Sequence, residues 1–319
     1  MRRKFVKGSA ILGTSLAANT TIKGLSGMIN GNSSRKVYRI LDANKVNVGT
    51  LPVLRAFAGD KLDYVSPFVL FDEFGPVSVK AGDDPLRVDA HPHAGVTPTT
   101  YFLAGTGHHR DSLDYDFQIA KGDFMMFKSG SGAIHMEESG QKLYDEGGDY
   151  HGFQIWLNTP AAYKFEKPAT TIDNESKMAL IKKDNVSIKV VLGELWEHKS
   201  EIETHASAFY YHIKMDKDSR ISIPTEPTHN AFLYSINGTI ELEGNKSATN
   251  KQVVLYHRGN STIDIYTKDG AELLLLGGQP LNEPVFSYGP FVMNNEEQIR
   301  QCITNYNNGL MGDPNLVNN

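Results

Sequence analysis

The sequence predicts an all-β protein built from two similar halves, with one helix near its end. Three observations lead there. The apolar runs are short, rich in β-branched and aromatic residues, and bounded by Gly, Pro and Asn turns. Their length and spacing argue for β-barrels or sandwiches rather than a βαβ fold. The segment at residues 99–105 is echoed around residues 234–241, which suggests an internal duplication.

Taken in order, Val46-Asn47-Val48, Val53-Leu54 and Phe68-Val69-Leu70-Phe71 read as strands separated by Gly and Pro. Residues 77–90, containing Gly82-Asp83-Asp84-Pro85, read as a loop. Thr99-Thr100-Tyr101-Phe102-Leu103, Phe117-Gln118-Ile119, Phe124-Met125-Met126-Phe127 and Phe153-Gln154-Ile155-Trp156-Leu157 continue the strands. The second half repeats the style, with Ser187-Ile188-Lys189-Val190-Val191, Phe209-Tyr210-Tyr211-His212-Ile213, Ile263-Asp264-Ile265-Tyr266 and Leu273-Leu274-Leu275-Leu276. Residues 234–241 read as a hairpin. A helix is expected from an Asn295 cap to about Tyr306, stopping at Gly309; Glu296 and Glu297 suit its positive end.

A chain of 319 residues suggests two domains, and 40% hydrophobic content with 22% charged residues suggests a folded core. The formal net charge of −5 argues against nucleic-acid binding. The single cysteine, Cys302, excludes an internal disulfide and any Cys-rich metal cluster. The start, Met1-Arg2-Arg3-Lys4-Phe5-Val6-Lys7 followed by a mildly apolar stretch, reads as a twin-arginine export signal leading to the periplasm, with the cytoplasm as the alternative. It is too polar for stable membrane insertion. The expected division is 1–34 export signal and linker, 35–165 and 166–312 the two barrels, the second carrying the helix, and 313–319 a loose tail.

The chemistry sits between residues 91 and 137. His91-Pro92-His93 opens that stretch and His135-Met136-Glu137 closes it. In a strand, residues i and i+2 face the same way, about 6.6 Å apart. Two such pairs on facing strands can set three imidazoles and a carboxylate around one ion, with positions left open on a six-coordinate metal. That donor set suits Fe(II), Mn, Ni, Cu or Zn.

Four ordered segments then resemble the pirins, two-barrel members of the cupin superfamily, over roughly residues 37–312. They are Pro67-Phe68-Val69-Leu70-Phe71-Asp72-Glu73-Phe74-Gly75; His91-Pro92-His93 through Gly105 and His109-Arg110-Asp111-Ser112; Gly122-Asp123 through Ser129-Gly130-Ser131-Gly132-Ala133-Ile134-His135-Met136-Glu137 and on to Asn158; and Pro280-Leu281-Asn282-Glu283-Pro284 with Tyr288-Gly289-Pro290-Phe291-Val292-Met293-Asn294. The resemblance implies two cupin-type barrels and a single metal, usually iron, held by His91, His93, His135 and Glu137 in the first. It implies a second barrel without metal. Some pirins oxidise flavonols with O2 and others act as iron-dependent transcription cofactors. This sequence departs from the family in one place: Ala94-Gly95-Val96-Thr97 stands where Arg-Gly-Phe-Glu is usual, beside the expected metal mouth.

The expected function is therefore a monomeric metal-dependent dioxygenase of the quercetin 2,3-dioxygenase type, acting on a small aromatic, flavonol-like substrate and O2. In it Glu137 serves as both ligand and base. The alternatives are a non-enzymatic iron-binding regulator and a small-molecule-binding cupin without redox chemistry. His108 and His109 read as loop or surface residues, and His151 as packing or a hydrogen-bond donor behind the ligands. Asp111 and Glu138 are candidate bases on residue type alone. Phe124, Phe127, Phe153 and Trp156 could line a flavonol-sized pocket, although such residues more often fill a core.

Overall fold

Short apolar runs separated by turns become strands in a computed structural model that describes residues 34–59 and 65–318. The export signal expected at the start lies outside the described residues. The named strand ladders are all antiparallel. Strand β1 (Val37–Asp42) comes first and leaves the half in which it begins. It is followed by β2 (Asn44–Val48), β3 (Leu51–Ala58), β4 (Phe68–Val79), β5 (Arg87–His93), β6 (Val96–Ala104), β7 (Gly107–Asp111), β8 (Asp116–Ile119), β9 (Phe124–Lys128) and β10 (Ala133–Ser139). Helix α1 (Gln141–Glu146), β11 (Gly148–Asn158) and β12 (Ala169–Asp173) complete the first barrel. Its large sheet runs β12-β9-β6-β11-β4-β3-β2 and its small sheet β5-β10-β7-β8.

The second barrel is made of β13 (Leu180–Lys183), β14 (Val186–Leu192), β15 (Glu194–Leu195), β16 (His198–Lys199), β17 (Ala208–Met215), β18 (Ser219–Pro224), β19 (Asn230–Gly238), β20 (Ile240–Leu242), β21 (Lys246–Ala248), β22 (Gln252–Tyr256), β23 (Thr262–Thr267) and β24 (Ala271–Gly278). Its large sheet runs β1-β22-β19-β24-β17-β14-β13 and its small sheet β18-β23-β20-β21. The two orders coincide strand for strand once β1 is matched to β12. The suspected duplication is therefore written in the topology, with β6 and β19, the two echoing segments, in the same place in their sheets.

The edge strands are exchanged across the division expected at residue 165. β1 pairs with β22 of the second barrel, and the buried Arg35 just before it donates to Thr225 Oγ1 and to the carbonyls of Glu226 and His229. β12, from the segment after β11, pairs with β9 of the first barrel. The chain end also returns to the first barrel: β25 (Phe286–Tyr288), β26 (Phe291–Met293), α2 (Glu296–Asn307) and α3 (Pro314–Asn318). As expected, Asn295 caps α2, its side chain accepting from the Gln298 N–H at 3.0 Å. The stretch expected to be a loose tail is instead helix α3 packed on β5 and β10, with Val317 buried. Five residues carry no periodic signal.

The large sheets of the two barrels pack back to back. Phe71, Tyr101, Phe124, Phe153 and Ile155 of the first meet Tyr210, Phe232, Tyr234, Leu274 and Leu276 of the second in one buried cluster. Strands covered on both faces lose the apolar–polar alternation. That accounts for the Leu273-Leu274-Leu275-Leu276 run: Leu273 and Leu275 fill the second barrel while Leu274 and Leu276 fill the seam. The hairpin expected at residues 234–241 does not form. β19 stays in the large sheet, and after Gly238 the chain crosses to the small sheet, where β20 pairs with β21 and β23. No helix of the described residues is long and apolar enough to cross a membrane.

Candidate metal centre

The centre is assembled on the small sheet of the first barrel. β10 lies between β5 and β7, and His135 pairs with His91 on one side and Asp111 on the other. Directly paired residues share a face, so these side chains project together into the barrel. Ile134 and Met136 take the opposite face and are sealed by Phe291, Met293, Ile299 and Val317 from the chain end. The turns that deliver these side chains are tied together: the Gly95 N–H donates to the Gly130 carbonyl at 2.8 Å. Both glycines have positive φ. A Cβ on Gly95 would sit 2.2 Å from the Val292 carbonyl oxygen, and one on Gly130 would sit 2.2 Å from that of Glu166. Both positions therefore require glycine.

Three imidazole nitrogens converge. His91 Nε2 lies 3.0 Å from His93 Nε2 and 3.2 Å from His135 Nε2. The His91 Nδ1–H donates to the Asp89 carbonyl at 2.8 Å, and the His93 Nδ1–H to the Pro290 carbonyl at 3.2 Å. A carbonyl only accepts, so Nδ1 carries the proton in both rings and Nε2 presents its lone pair. Burial pushes the His91 imidazole below its ordinary pKa and those of His93 and His135 well below theirs, which favours the neutral form of all three. Phe127 stacks on His135 with centroids 4.5 Å apart, and Trp156 meets the His93 ring edge-on at 4.8 Å.

Glu137 faces the same space. Its Oε1 accepts from Thr100 Oγ1 and its Oε2 from Gln154 Nε2, both at 2.6 Å. Its carboxylate groups with His135 and His109, within 4.8 Å, whereas His91, His93 and His135 form a separate close set. The carboxylate is thus held beside the imidazole triad by the large sheet opposite.

A cavity of about 450 Å³ opens from this cluster. Cross-strand pairing lays one polar row along its large-sheet wall: Arg55 opposite Asp72, Asp72 opposite Gln154, and Gln154 opposite Thr100. Arg55 grips Asp72 through two bonds of 2.8 and 2.6 Å. Val53, Phe74, Phe102, Tyr150 and Trp156 supply apolar surface around the row.

Other expected residues fall elsewhere. Phe124 and Phe153 belong to the seam between barrels, and Trp156 lines the cavity. None of Ala94, Gly95, Val96 and Thr97 reaches the cavity wall. Ala94 bridges to Phe291, and Val96 packs on Val69 and Val292, so the family departure is absorbed by packing under the chain end. His151 does not stand behind the three imidazoles: it bonds Glu73 at 2.7 Å in a seam cluster with Lys251 and Tyr234. Glu138 is engaged by His108 and Arg110. His109, expected in a loop or on the surface, is fully buried beside His135 with ring centroids 5.4 Å apart, and its partner is Asp111. Its strand position opposite Glu137 was the missing signal, because only the register reveals it.

Lys164, fully buried, closes the assembly. Its ammonium donates to the carbonyls of Gly95 and Val292, each at 2.7 Å, and to Asn158 Oδ1 at 2.6 Å. It thereby clamps the chain end over the turn that follows His93. Burial pushes its pKa down to about 7, while three oxygen acceptors favour the charged form, which alone has three N–H bonds to give.

The chain matches the pirin family over residues 50–157 and the pirin C-terminal cupin domain over residues 210–312. It is 30% identical over 282 residues to a pirin-like protein of Solanum lycopersicum, covering 87% of this chain and 93% of the relative. A solved quercetin 2,3-dioxygenase from Acinetobacter baumannii superposes with a TM-score of 0.85 at 26% identity, covering 88% of this chain and all of that one. A pirin from Escherichia coli, solved in complex with nickel(II), shares the fold at 18% identity and a TM-score of 0.59, over 76% and 99% of the two chains. This chain belongs to the pirin family of two-barrel cupins.

Proposed function

We propose that His91, His93, His135 and Glu137 hold one divalent metal, iron in the first instance, and that the protein is a dioxygenase of the quercetin 2,3-dioxygenase type. The observation that carries the metal is the nitrogen geometry. Ligand nitrogens about 2.1 Å from an octahedral ion lie about 3.0 Å apart when adjacent, and two of the imidazole pairs stand at 3.0 and 3.2 Å. Without an ion, lone pairs would face one another there in a buried space.

Bound metal supplies Lewis acidity and, with iron, manganese, nickel or copper, a partner for O2 chemistry. The chain does the rest. Phe74, Phe102, Tyr150 and Trp156 offer flat apolar surface to a ring system and exclude water. The cavity's size falls within the range of about 300–1,000 Å³ usual for small-molecule sites. Thr100 and Gln154 fix Glu137, whose carboxylate accepts the proton of a substrate hydroxyl entering beside His135. Arg55 and Asp72 offer polar contacts to hydroxyls further along the ring.

The test is O2 consumption with quercetin by iron-loaded protein, with His135→Ala as the control. Turnover lost in that variant supports the reading. Absence of turnover across several metals and flavonols removes the enzyme and leaves the metal site. The regulatory reading is favoured by one observation: His93 is bonded to Pro290, in a segment that also presents exposed Phe286 and Tyr288. Through it the metal could govern a partner surface. Export by the paired arginines, Arg2 and Arg3, belongs to this proposal as well. A reporter fusion that stays in the cytoplasm overturns it.

A further inference from the structure

Two buried nitrogens beside the centre lack hydrogen-bond partners: His135 Nδ1 and His109 Nδ1. The chemistry around each ring settles where its proton sits. Asp111 Oδ1 accepts from the backbone N–H of Leu113 at 2.8 Å and of Tyr115 at 3.2 Å. Its Oδ2 accepts from Thr170 Oγ1 at 2.5 Å and faces His109 Nε2 at 3.0 Å. A carboxylate so placed is an acceptor throughout, so His109 carries its proton on Nε2 and leaves Nδ1 with a lone pair. His135 is the mirror case. When its Nε2 ligates a metal, the proton belongs on Nδ1.

The two orphans are therefore one donor and one acceptor. The rings are neighbours, with centroids 5.4 Å apart, although the two nitrogens do not meet hydrogen-bond geometry as the rings stand. We propose that His109 becomes the positioning residue for His135 when an ion is bound: with its own Nε2–H given to Asp111, a small rotation of the neighbouring rings lets it accept the His135 Nδ1–H and so aim His135 Nε2 at the ion. This rests on the metal reading above and extends it to a residue outside the ligand set.

Each ligand imidazole then has an acceptor of its own. His91 has the Asp89 carbonyl, His93 the Pro290 carbonyl, and His135 an imidazole backed by a carboxylate. The last is the strongest acceptor of the three, because Asp111 polarises the His109 ring. Glu137, the other group within reach of His109, is itself an acceptor and has no proton to give the His109 Nδ1 lone pair.

Cobalt(II) is a suitable probe, because imidazole N–H protons on its ligands give shifted proton resonances that vanish in D2O. The full chain loaded with Co(II) should show three slowly exchanging N–H signals. In His109→Leu one signal should be lost to fast exchange, the other two should stay, and Co(II) affinity should fall about 10- to 100-fold. His109→Gln, whose amide oxygen can accept the same proton, should recover the signal and most of the affinity. A merely structural role would show no such recovery. In Asp111→Asn the amide donates to His109 Nε2, drives the proton to Nδ1, and should give the same loss as His109→Leu; this variant decides the matter if His109→Leu does not fold. Three unchanged signals in either variant overturn the proposal. A fourth exchangeable signal in the unmodified chain also overturns it, by making His109 a ligand. If the unmodified chain shows no shifted imidazole signal at all, the metal reading fails, and that result is distinct from both.

Discussion

The two barrels share a strand order and differ in what occupies them. In the first, the paired small-sheet strands β5 and β10 turn His91, His93, His135 and Glu137 inward, around a cavity of about 450 Å³. In the second, the corresponding strands β18 and β23 turn in Ile221, Ile223, Ile263 and Ile265, each buried within a continuous apolar cluster with Ile240 and Leu242. The outer faces differ as well. The chain end covers the first small sheet, whereas Arg220, Ser222 and Pro224 on β18 are exposed. One barrel is an apolar-packed core and the other a lined vessel on the same frame. Chemistry in this fold is thus a property of a few inward positions on two strands.

The sharpest way to break the contrast is to remove a ligand. His135→Ala should lower metal affinity by more than about 100-fold, since losing a ligand costs more than losing its hydrogen-bond partner. Elemental analysis and metal titration check it, with the far-UV spectrum unchanged. Next, equivalent truncations in the two interiors should cost different amounts. Ile265→Ala opens a hole in a filled core and should destabilise by about 2–5 kcal/mol. Val53→Ala borders a space that already exists, and should cost only about 1 kcal/mol. Urea midpoints compare them, and equal losses would erase the distinction. The smallest effect is on pH. Burial lowers the folded pKa of His91, His93 and His135, while in the unfolded chain a histidine titrates near 6.5. Between those values the unfolded chain binds more protons, so stability is present above about pH 6.5 and is lost as pH falls toward the lowered folded values. The melting temperature of metal-free protein should therefore drop between about pH 7 and pH 5, and bound metal should move the drop to lower pH. In the second barrel burial lowers His212 and His229 in the same direction, but these stand singly rather than as a cluster.

The strands that carry the candidate ligands were legible because their pattern is local. A two-residue period puts His91 with His93 and His135 with Glu137 on common faces whatever the surroundings. The capped helix α2 was legible for the same reason, since its Asn295 signal lies within one turn. What escaped depends on register and on distant partners. His109 looked like a loop residue until β7 was seen to pair with β10. Residues 234–241 carry hairpin chemistry, but β20 finds its partners in the other sheet. Lys164 gave no sign of being buried, because its three acceptors come from Gly95, Asn158 and Val292, far apart in the chain. The halves looked separable because composition does not show an edge strand's partner.

That exchange of edges bears on how the protein is made. β1 leaves the ribosome first, yet the strand it pairs with, β22, follows about two hundred residues later. Until then β1 has no ladder, and the second barrel cannot close its edge without it. The segment from β25 to α3, which returns to the first barrel, follows every strand of the second, so the first barrel's small sheet is covered only after the second barrel has been made. A nascent chain cut anywhere before β22 exposes an unpaired strand, which is a template for association with other chains. For this protein, expressing one half alone is a route to aggregates rather than to a smaller working unit.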